Sequence, residues 1–454
     1  MATTPTGLFH EVPIEDLFFS TTDAKGVIDE ANEVFARNAR FERGELLGAP
    51  HNLIRHPDMP AAVFRATWDL LQTGSPVCAY VKNLAKDGST YWAFATIVPI
   101  QGRYLSVRAT PCDHAARDLF DSLYSTVRTA ELAAREAGSG AREVAEVGAR
   151  VLGQALADNG FASYAALQLD LVPVEVAARE KACPPMPAGT KGTPSAKILE
   201  KVADARGRLG AFAEDIQRSL VVADSLARDV RRLGSALASL DTAVSGALAA
   251  LSGANASEVG ALVPVVRSRL QDGIRAVTEV GAELAGVVEV RKHLGMSSAI
   301  ARMQAEALGR YVLAVEAGRE DPRVSERALS SLSTALLAIL DADLSSDQAA
   351  TAAYAERVER LAGQVEGVRE TTDAWRRLLA PQGMGGGPGG GADGSEDEAG
   401  HEARVALDVA LTAAADQMAR VRAAVGAFGS TGAALERDAL AKSLARIVEL
   451  AAKI

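Results

Sequence analysis

The sequence predicts two kinds of structure in one chain: an α+β domain, built as a five-stranded antiparallel sheet with helices, followed by an all-α coiled-coil and helical-bundle region. Three observations carry this. Fourteen of the 21 Phe, Trp and Tyr residues fall in residues 1–124 of the 454-residue chain. Large rings build compact sheet-containing cores, because each buries a large apolar area. The same stretch is divided into short β-prone runs by turn residues. The remainder is rich in Ala, Leu, Val, Glu and Arg, the composition of long helices.

The elements of the first domain follow in order. Leu17 to Thr22 is β-prone and meets a turn at Asp23-Ala24-Lys25-Gly26, after which Val27-Ile28 resumes the strand. Short helices are expected over Ala31–Arg37 and Arg43–Leu47, the second stopped by Gly48 and Pro50. Pro60 to Gln72 reads as a helix with Pro in its first turn and Gly74 just past its end. Asp58 is placed to cap it. Val77–Asn83 and Thr90–Ile100 flank the turn Lys86-Asp87-Gly88, and Arg103–Ala109 is the last strand. In the long strand Tyr91, Ala93, Ala95 and Ile97 alternate with Trp92, Phe94, Thr96 and Val98, so one set faces a core and the other a helix or a partner. A sheet with helices on one face leaves room between them for a small molecule.

Composition excludes several functions. With 58 acidic against 48 basic side chains the net charge is −10, the wrong sign for a nucleic-acid surface. Three scattered cysteines, Cys78, Cys112 and Cys183, make no disulfide framework and fit a reducing compartment. Cys78 reads as a small buried hydrophobe. No metal-ligand spacing is found among the cysteines and histidines. No run of about 20 apolar residues and no basic, then apolar, leader is seen, so a cytoplasmic protein without a membrane span is expected. No nucleotide-binding boxes of a histidine kinase and no cyclase or phosphodiesterase motif are recognisable, so no enzymatic activity is expected.

The run Pro50-His51-Asn52-Leu53-Ile54-Arg55-His56-Pro57-Asp58-Met59-Pro60 resembles the signature of the aerotaxis-receptor type of PAS domain. Ser20-Thr21-Thr22-Asp23, Glu30-Ala31-Asn32, Val81-Lys82-Asn83, Lys86-Asp87-Gly88 and Tyr91-Trp92 are similar to it in the same order. The resemblance implies a PAS sensor holding a flavin, FAD, whose redox state reports respiratory or oxygen status. Its cofactor-contacting positions carry over onto Asn32, Arg55, His56, Asp58, Trp68 and Asn83. Those residue types suit the task. Arg offers parallel donors to a pyrophosphate or carbonyl, an Asn amide offers one donor and one acceptor edge, Trp offers a stacking face, and His titrates near neutral pH. Where the family often places Trp after the Pro that opens the next strand, Val77 follows Pro76 here. Two alternatives stand beside the flavin: haem held through His51 or His56, and a cofactor-free PAS dimerisation scaffold. A niche plugged by Met59 or Val77 would favour the scaffold.

In the later region Leu209, Phe212, Ile216, Leu220, Ala223, Leu226, Val230, Leu233, Leu237, Leu240, Val244, Leu248 and Leu251 recur at spacings of three and four. This predicts a coiled-coil seam within an antiparallel, dimerising bundle. The expected organisation is residues 1–112 as the PAS sensor, 113–182 as a helical connector and 183–195 as a Pro- and Gly-containing linker. Residues 196–380 form the bundle, 381–400 a Gly-rich acidic linker and 401–454 a helical hairpin turning near Gly426–Gly432. The stretch Val290 to Ala301 resembles a degraded form of the hairpin tip of chemoreceptor signalling domains, which implies a chemotaxis adaptor and histidine kinase as partners. The expected function is signal transduction, an energy-taxis-like sensor relaying its state to the helices.

Overall fold

The computed structural model describes residues 3–250, 256–322, 325–378, 394–430 and 435–453. The Gly-rich stretch 381–393 and the expected hairpin turn at residues 431–432 lie outside them. The strands are β1 (Phe18–Thr22), β2 (Ile28–Ala31), β3 (Val77–Leu84), β4 (Thr90–Ile100) and β5 (Arg103–Ala109). They form one antiparallel sheet in the order β2-β1-β5-β4-β3. Between β2 and β3 lie α1 (Glu33–Ala39), α2 (Arg43–Leu46), a 3-10 turn (His51–Ile54) and α3 (Ala61–Gln72).

Local chemistry sets these boundaries. Asp23 Oδ1 accepts from the N–H groups of Lys25 and Val27 at 2.8 and 2.9 Å, closing the β1–β2 turn. Asn32 caps α1, its Oδ1 accepting from Phe35 N at 3.2 Å, and it also ties back to Phe19 N of β1 and to Leu17 O just before that strand. The cap of α3 is not Asp58. Pro60 precedes that helix, and the free N–H groups of Ala61 and Ala62 are met from another element by the Glu131 carboxylate, at 3.0 and 2.9 Å.

After the sheet come α4 (His114–Glu136), α5 (Ala141–Asp158), α6 (Tyr164–Ala182), α7 (Pro194–Ala249), α8 (Ala256–Ala261), α9 (Val263–Glu316), α10 (Ser325–Leu378), α11 (Gly394–Ser430) and α12 (Arg437–Ala451). Two compact units result. One comprises Met1–Glu214, Lys292–Leu344 and Ala434–Ile454; the other comprises Asp215–Arg291 and Ser345–Ala433. Among the described residues one helix, α10, is by length and composition apolar enough to cross a membrane, and half of its apolar window is buried inside the protein.

In the first unit the sheet is covered on both faces. The helices between β2 and β3 cover one. On the other, Tyr80, Phe94, Phe120, Tyr124 and Tyr164 form an aromatic cluster with ring centroids 4.9–6.2 Å apart. The alternate residues of the sheet thus meet α4 and α6 of the same chain. Gln168 of α6 accepts from Cys78 N at 2.7 Å, protecting the edge strand β3.

The second unit is a bundle whose helices run up, down, up and down. Arg267 of α9 reaches Ser245 of α7, Arg357 of α10 reaches Glu279 of α9, and Arg422 of α11 reaches Glu359 of α10, each at 2.5–3.0 Å. Gln417 of α11 closes the ring onto Asp229 of α7 at 3.1 Å. The buried stripe of α7 keeps strict heptad spacing through Ile216, Ser219, Ala223 and Leu226, and later through Val244 and Ala247. Leu220 and Leu248, expected in the seam, are only partly buried. Register has put Ser219 inside, with its hydroxyl donating to Ile216 O at 2.7 Å. Leu251 lies outside the described residues. Gly426 and Gly429, expected in a turn, are inside α11. The stretch Val290 to Ala301 lies in the middle of the continuous α9 and does not turn; Leu294, Ala299, Ile300 and Ala301 are fully buried.

Candidate functional site

One sheet face is short of bulk. Ala79, Val81 and Asn83 of β3, Ala95 and Ile97 of β4, and Tyr104, Ser106 and Arg108 of β5 point the same way, as the two-residue period requires. The small members leave a cavity of about 290 Å³, closed by Val63, Phe64, Thr67, Trp68 and Leu71 of α3 and by the segment around the 3-10 turn. That volume lies at the lower edge of small-molecule pockets, which run from roughly 300 Å³ upward. Met59 lines the wall without filling the space, and Val77 is buried elsewhere. Gly26 also borders the cavity with a φ of +77°, a conformation that favours glycine, and a Cβ there would make a tight contact of 3.3 Å with Trp68 Cζ2. Trp68 meets Tyr104 edge to face, centroids 5.4 Å apart.

The electrostatics are one-sided. Lys25, Arg55 and Arg108 line the cavity, and among the described residues no Asp or Glu does. Lys82 alternates to the other face of the sheet, where its ammonium pairs with Asp121 at 2.9 Å and lies 5.0 Å from the Trp92 ring. The Arg55 guanidinium lies 3.5 Å over the Phe64 ring; burial lowers its pKa, and the charge of Glu131 opposes that. Arg108 is fully enclosed. It donates to Ser20 Oγ at 3.2 Å and to His51 Nε2, and lies 5.1 and 5.9 Å from the rings of Phe35 and Phe18. Burial pushes its pKa down to about 10, which still leaves it charged near neutrality. Burial, then the charges of Arg108 and Arg55, hold His51 well below the ordinary imidazole range, so it is neutral and its Nε2 accepts. Three buried polar atoms of the wall have no hydrogen-bond partner among the described residues: Asn83 Nδ2, Arg55 Nε and Ser106 Oγ. An unmet buried donor costs about 1–3 kcal/mol, so this wall fits a ligand rich in acceptors.

Of the six residues expected here, Arg55, Trp68 and Asn83 line the cavity together. Asn32, His56 and Asp58 do not. Asn32 is held as the α1 cap. His56 is buried with its Nδ1 accepting from Asp58 N at 3.1 Å, and the Asp58 side chain is 65% exposed. Burial lowers the His56 pKa, against the pull of Asp58. Arg108, Ser106 and Lys25 were missed. The signal for Arg108 was available: it alternates with Tyr104 and Ser106 and so is a charged residue on an inward strand position.

Carboxylates connect this wall to the following helices. Glu131 of α4, fully buried, grips the first N–H groups of α3 and contacts Arg128 at 3.3 Å. Gly148 of α5 makes room for it; a Cβ there would lie 2.5 Å from Glu131 Oε1. On the far face, Glu175 of α6 accepts from Tyr80 OH at 2.6 Å and from the N–H groups of Cys112 and Asp113 at 2.7 Å. Burial raises its pKa.

A five-stranded antiparallel sheet in this order, with helices closing a polar cavity against one face, is a PAS-like fold. Residues 29–110 match the family model described as PAS fold, and the N-terminal domain is a PAS domain. It is similar to the aerotaxis receptor of Escherichia coli (strain K12), 41% identical over 99 residues, which are 21% of this chain and 20% of that protein. The chain thus matches about a fifth of that relative's length. Among solved structures, an RsLOV d2 variant and a Rhodobacter sphaeroides LOV protein are similar at 16% and 15% identity and a TM-score of 0.21, over 32% of this chain and 89% of each of theirs.

Proposed function

We propose that the PAS cavity holds a flavin and that the chain is a cytoplasmic redox or oxygen sensor, not an enzyme, which relays the flavin's state to its helical region. The observation that carries this is the set of unmet buried polar atoms, Asn83 Nδ2, Arg55 Nε and Ser106 Oγ, facing one cavity beside Trp68. The volume suits a compact aromatic head group, not a whole dinucleotide. A flavin supplies a redox centre whose charge and hydrogen-bonding edge change on reduction. Asn83 is placed to read that edge with a donor and an acceptor, Trp68 to supply an aromatic wall, and Arg55 and Arg108 to set the potential.

The relay in this reading starts at α3. That helix forms the cavity wall, and Glu131 fastens its N-terminus to α4, so a displacement of the wall is felt on the connector. Such a relay needs two discrete packings with different affinity for the two ligand states. A homodimer coupled to a chemotaxis adaptor and histidine kinase is the output this reading carries, on the sequence resemblance of residues 290–301. Haem finds less support: His56 is off the cavity, and Arg108 donates to Nε2 of His51. The test is the visible spectrum of the purified protein. A flavin band bleached by dithionite, with flavin released on denaturation, is expected; a colourless protein that also fails to take up added FAD or riboflavin overturns the reading.

A further inference from the structure

We propose that Arg108 is the counter-charge for an anionic ligand in the PAS cavity and, on the flavin reading above, biases the bound ring towards its reduced, negatively charged form. The inference rests on that reading for the identity of the ligand, and on geometry for its charge.

Four arginines are buried among the described residues: Arg108, Arg179, Arg291 and Arg302. Three meet carboxylates. Arg179 pairs with Glu306 through two bonds of 3.0 Å, Arg291 with Asp347 at 2.5 Å, and Arg302 with Glu180 at 2.6 Å. No ion pair among the described residues includes Arg108. Its hydrogen-bond partners, Ser20 and His51, are neutral, and the rings of Phe18 and Phe35 complete its apolar surroundings. A buried charge is costly unless paired. The unpaired one here is 3% exposed and lines a cavity that has two more cationic side chains, Lys25 and Arg55, and no carboxylate among the described residues.

An anion in the cavity supplies the missing pairing. Reduction of a flavin by dithionite adds two electrons and, near neutral pH, one proton, leaving one negative charge on the ring system; dithionite is oxidised to sulfite. A fixed cation against the cavity favours that product over the neutral oxidised ring. Arg108 therefore raises the two-electron midpoint potential of the bound flavin.

The test uses the full chain and the variants Arg108→Met and Arg108→Lys in two measurements. Without ligand, Arg108→Met is expected to raise the thermal midpoint, because it removes a buried, unpaired charge, while Arg108→Lys leaves it near wild type. A scaffold arginine behaves oppositely, and a fall in the midpoint for Arg108→Met overturns the proposal. With FAD bound, Arg108→Met is expected to lower the ratio of affinities for reduced and oxidised flavin at least tenfold, about 30 mV for a two-electron couple, and Arg108→Lys to retain the wild-type potential. A flavin-loaded Arg108→Met protein with the wild-type potential overturns it. Loss of flavin from Arg108→Met together with a raised ligand-free midpoint supports it. If the wild-type chain takes up no flavin at all, the flavin reading fails, and the ligand-free measurement alone decides whether Arg108 is a counter-charge.

Discussion

Ala79 and Ala95 make the cavity by what they lack. Both sit on the inward face of the sheet opposite α3, and a larger side chain there occupies the space a ligand needs. Ala79→Leu or Ala95→Leu is expected to cut flavin affinity at least tenfold without lowering the thermal midpoint, because the added methylenes enter a void; equilibrium dialysis and calorimetry check this. Glu320 gives a prediction of known sign. Burial raises its carboxyl from 4.5 to about 7, although the N–H of Glu33 donates to it at 2.8 Å. A raised folded-state pKa contributes stability that is full below the unfolded value and is lost as pH rises through the folded one. Glu320→Gln should therefore match the wild type near pH 4.5 and exceed it by roughly 1–3 kcal/mol above pH 8, read from urea midpoints. At this scale the motif brought Arg55, Trp68 and Asn83 into view. It did not separate them from Asn32, His56 and Asp58, whose polar side chains serve caps and turns with equal chemistry. Only the direction of each side chain, fixed by tertiary packing, tells the two roles apart.

The contact with most influence between elements is the grip of Glu131 on α3. It joins residues some 70 positions apart, a separation at which no local pattern operates; a local reading offers Asp58 as the cap. Removing the carboxylate strands two N–H groups at a buried helix end, each worth about 1–3 kcal/mol. Glu131→Ala is expected to destabilise the protein by that order. Gly148→Ala should do so too, because its Cβ would lie 2.5 Å from the same carboxylate. Chemical denaturation reads both, and a Gly148→Ala protein as stable as wild type would remove the close packing from the account. Strands and short helices were legible because turns and alternation are local. The α7 seam was legible in period but not in register: hydrophobicity favoured Leu220 and Leu248, while burial fell on Ser219 and Ala247 to keep the spacing unbroken.

Over the whole chain, periodicity could announce helices but not their grouping. The two compact units interleave along the sequence, and α11 and α12, expected as one hairpin, belong to different units. The second unit has its own mark of specificity. Arg291 and Asp347 occupy core positions and pair at 2.5 Å, with Thr351 accepting from Arg291 at 3.0 Å and the Phe428 ring 4.6 Å away. Breaking one side of a buried pair is far more damaging than replacing both. Arg291→Met alone should cost about 3–5 kcal/mol, and Arg291→Met with Asp347→Leu close to nothing, measured by urea unfolding; equal losses in both would deny the pair its role.

Hydrogen exchange of the full chain, with FAD oxidised and then reduced by dithionite, tests most directly whether the PAS cavity speaks to the helices behind it. The amides of Ala61 and Ala62 and those of α4 around Glu131 should change protection between the two states in the wild type and remain unchanged in Glu131→Ala. Identical exchange over α3 and α4 in the oxidised and reduced wild-type protein would contradict the relay.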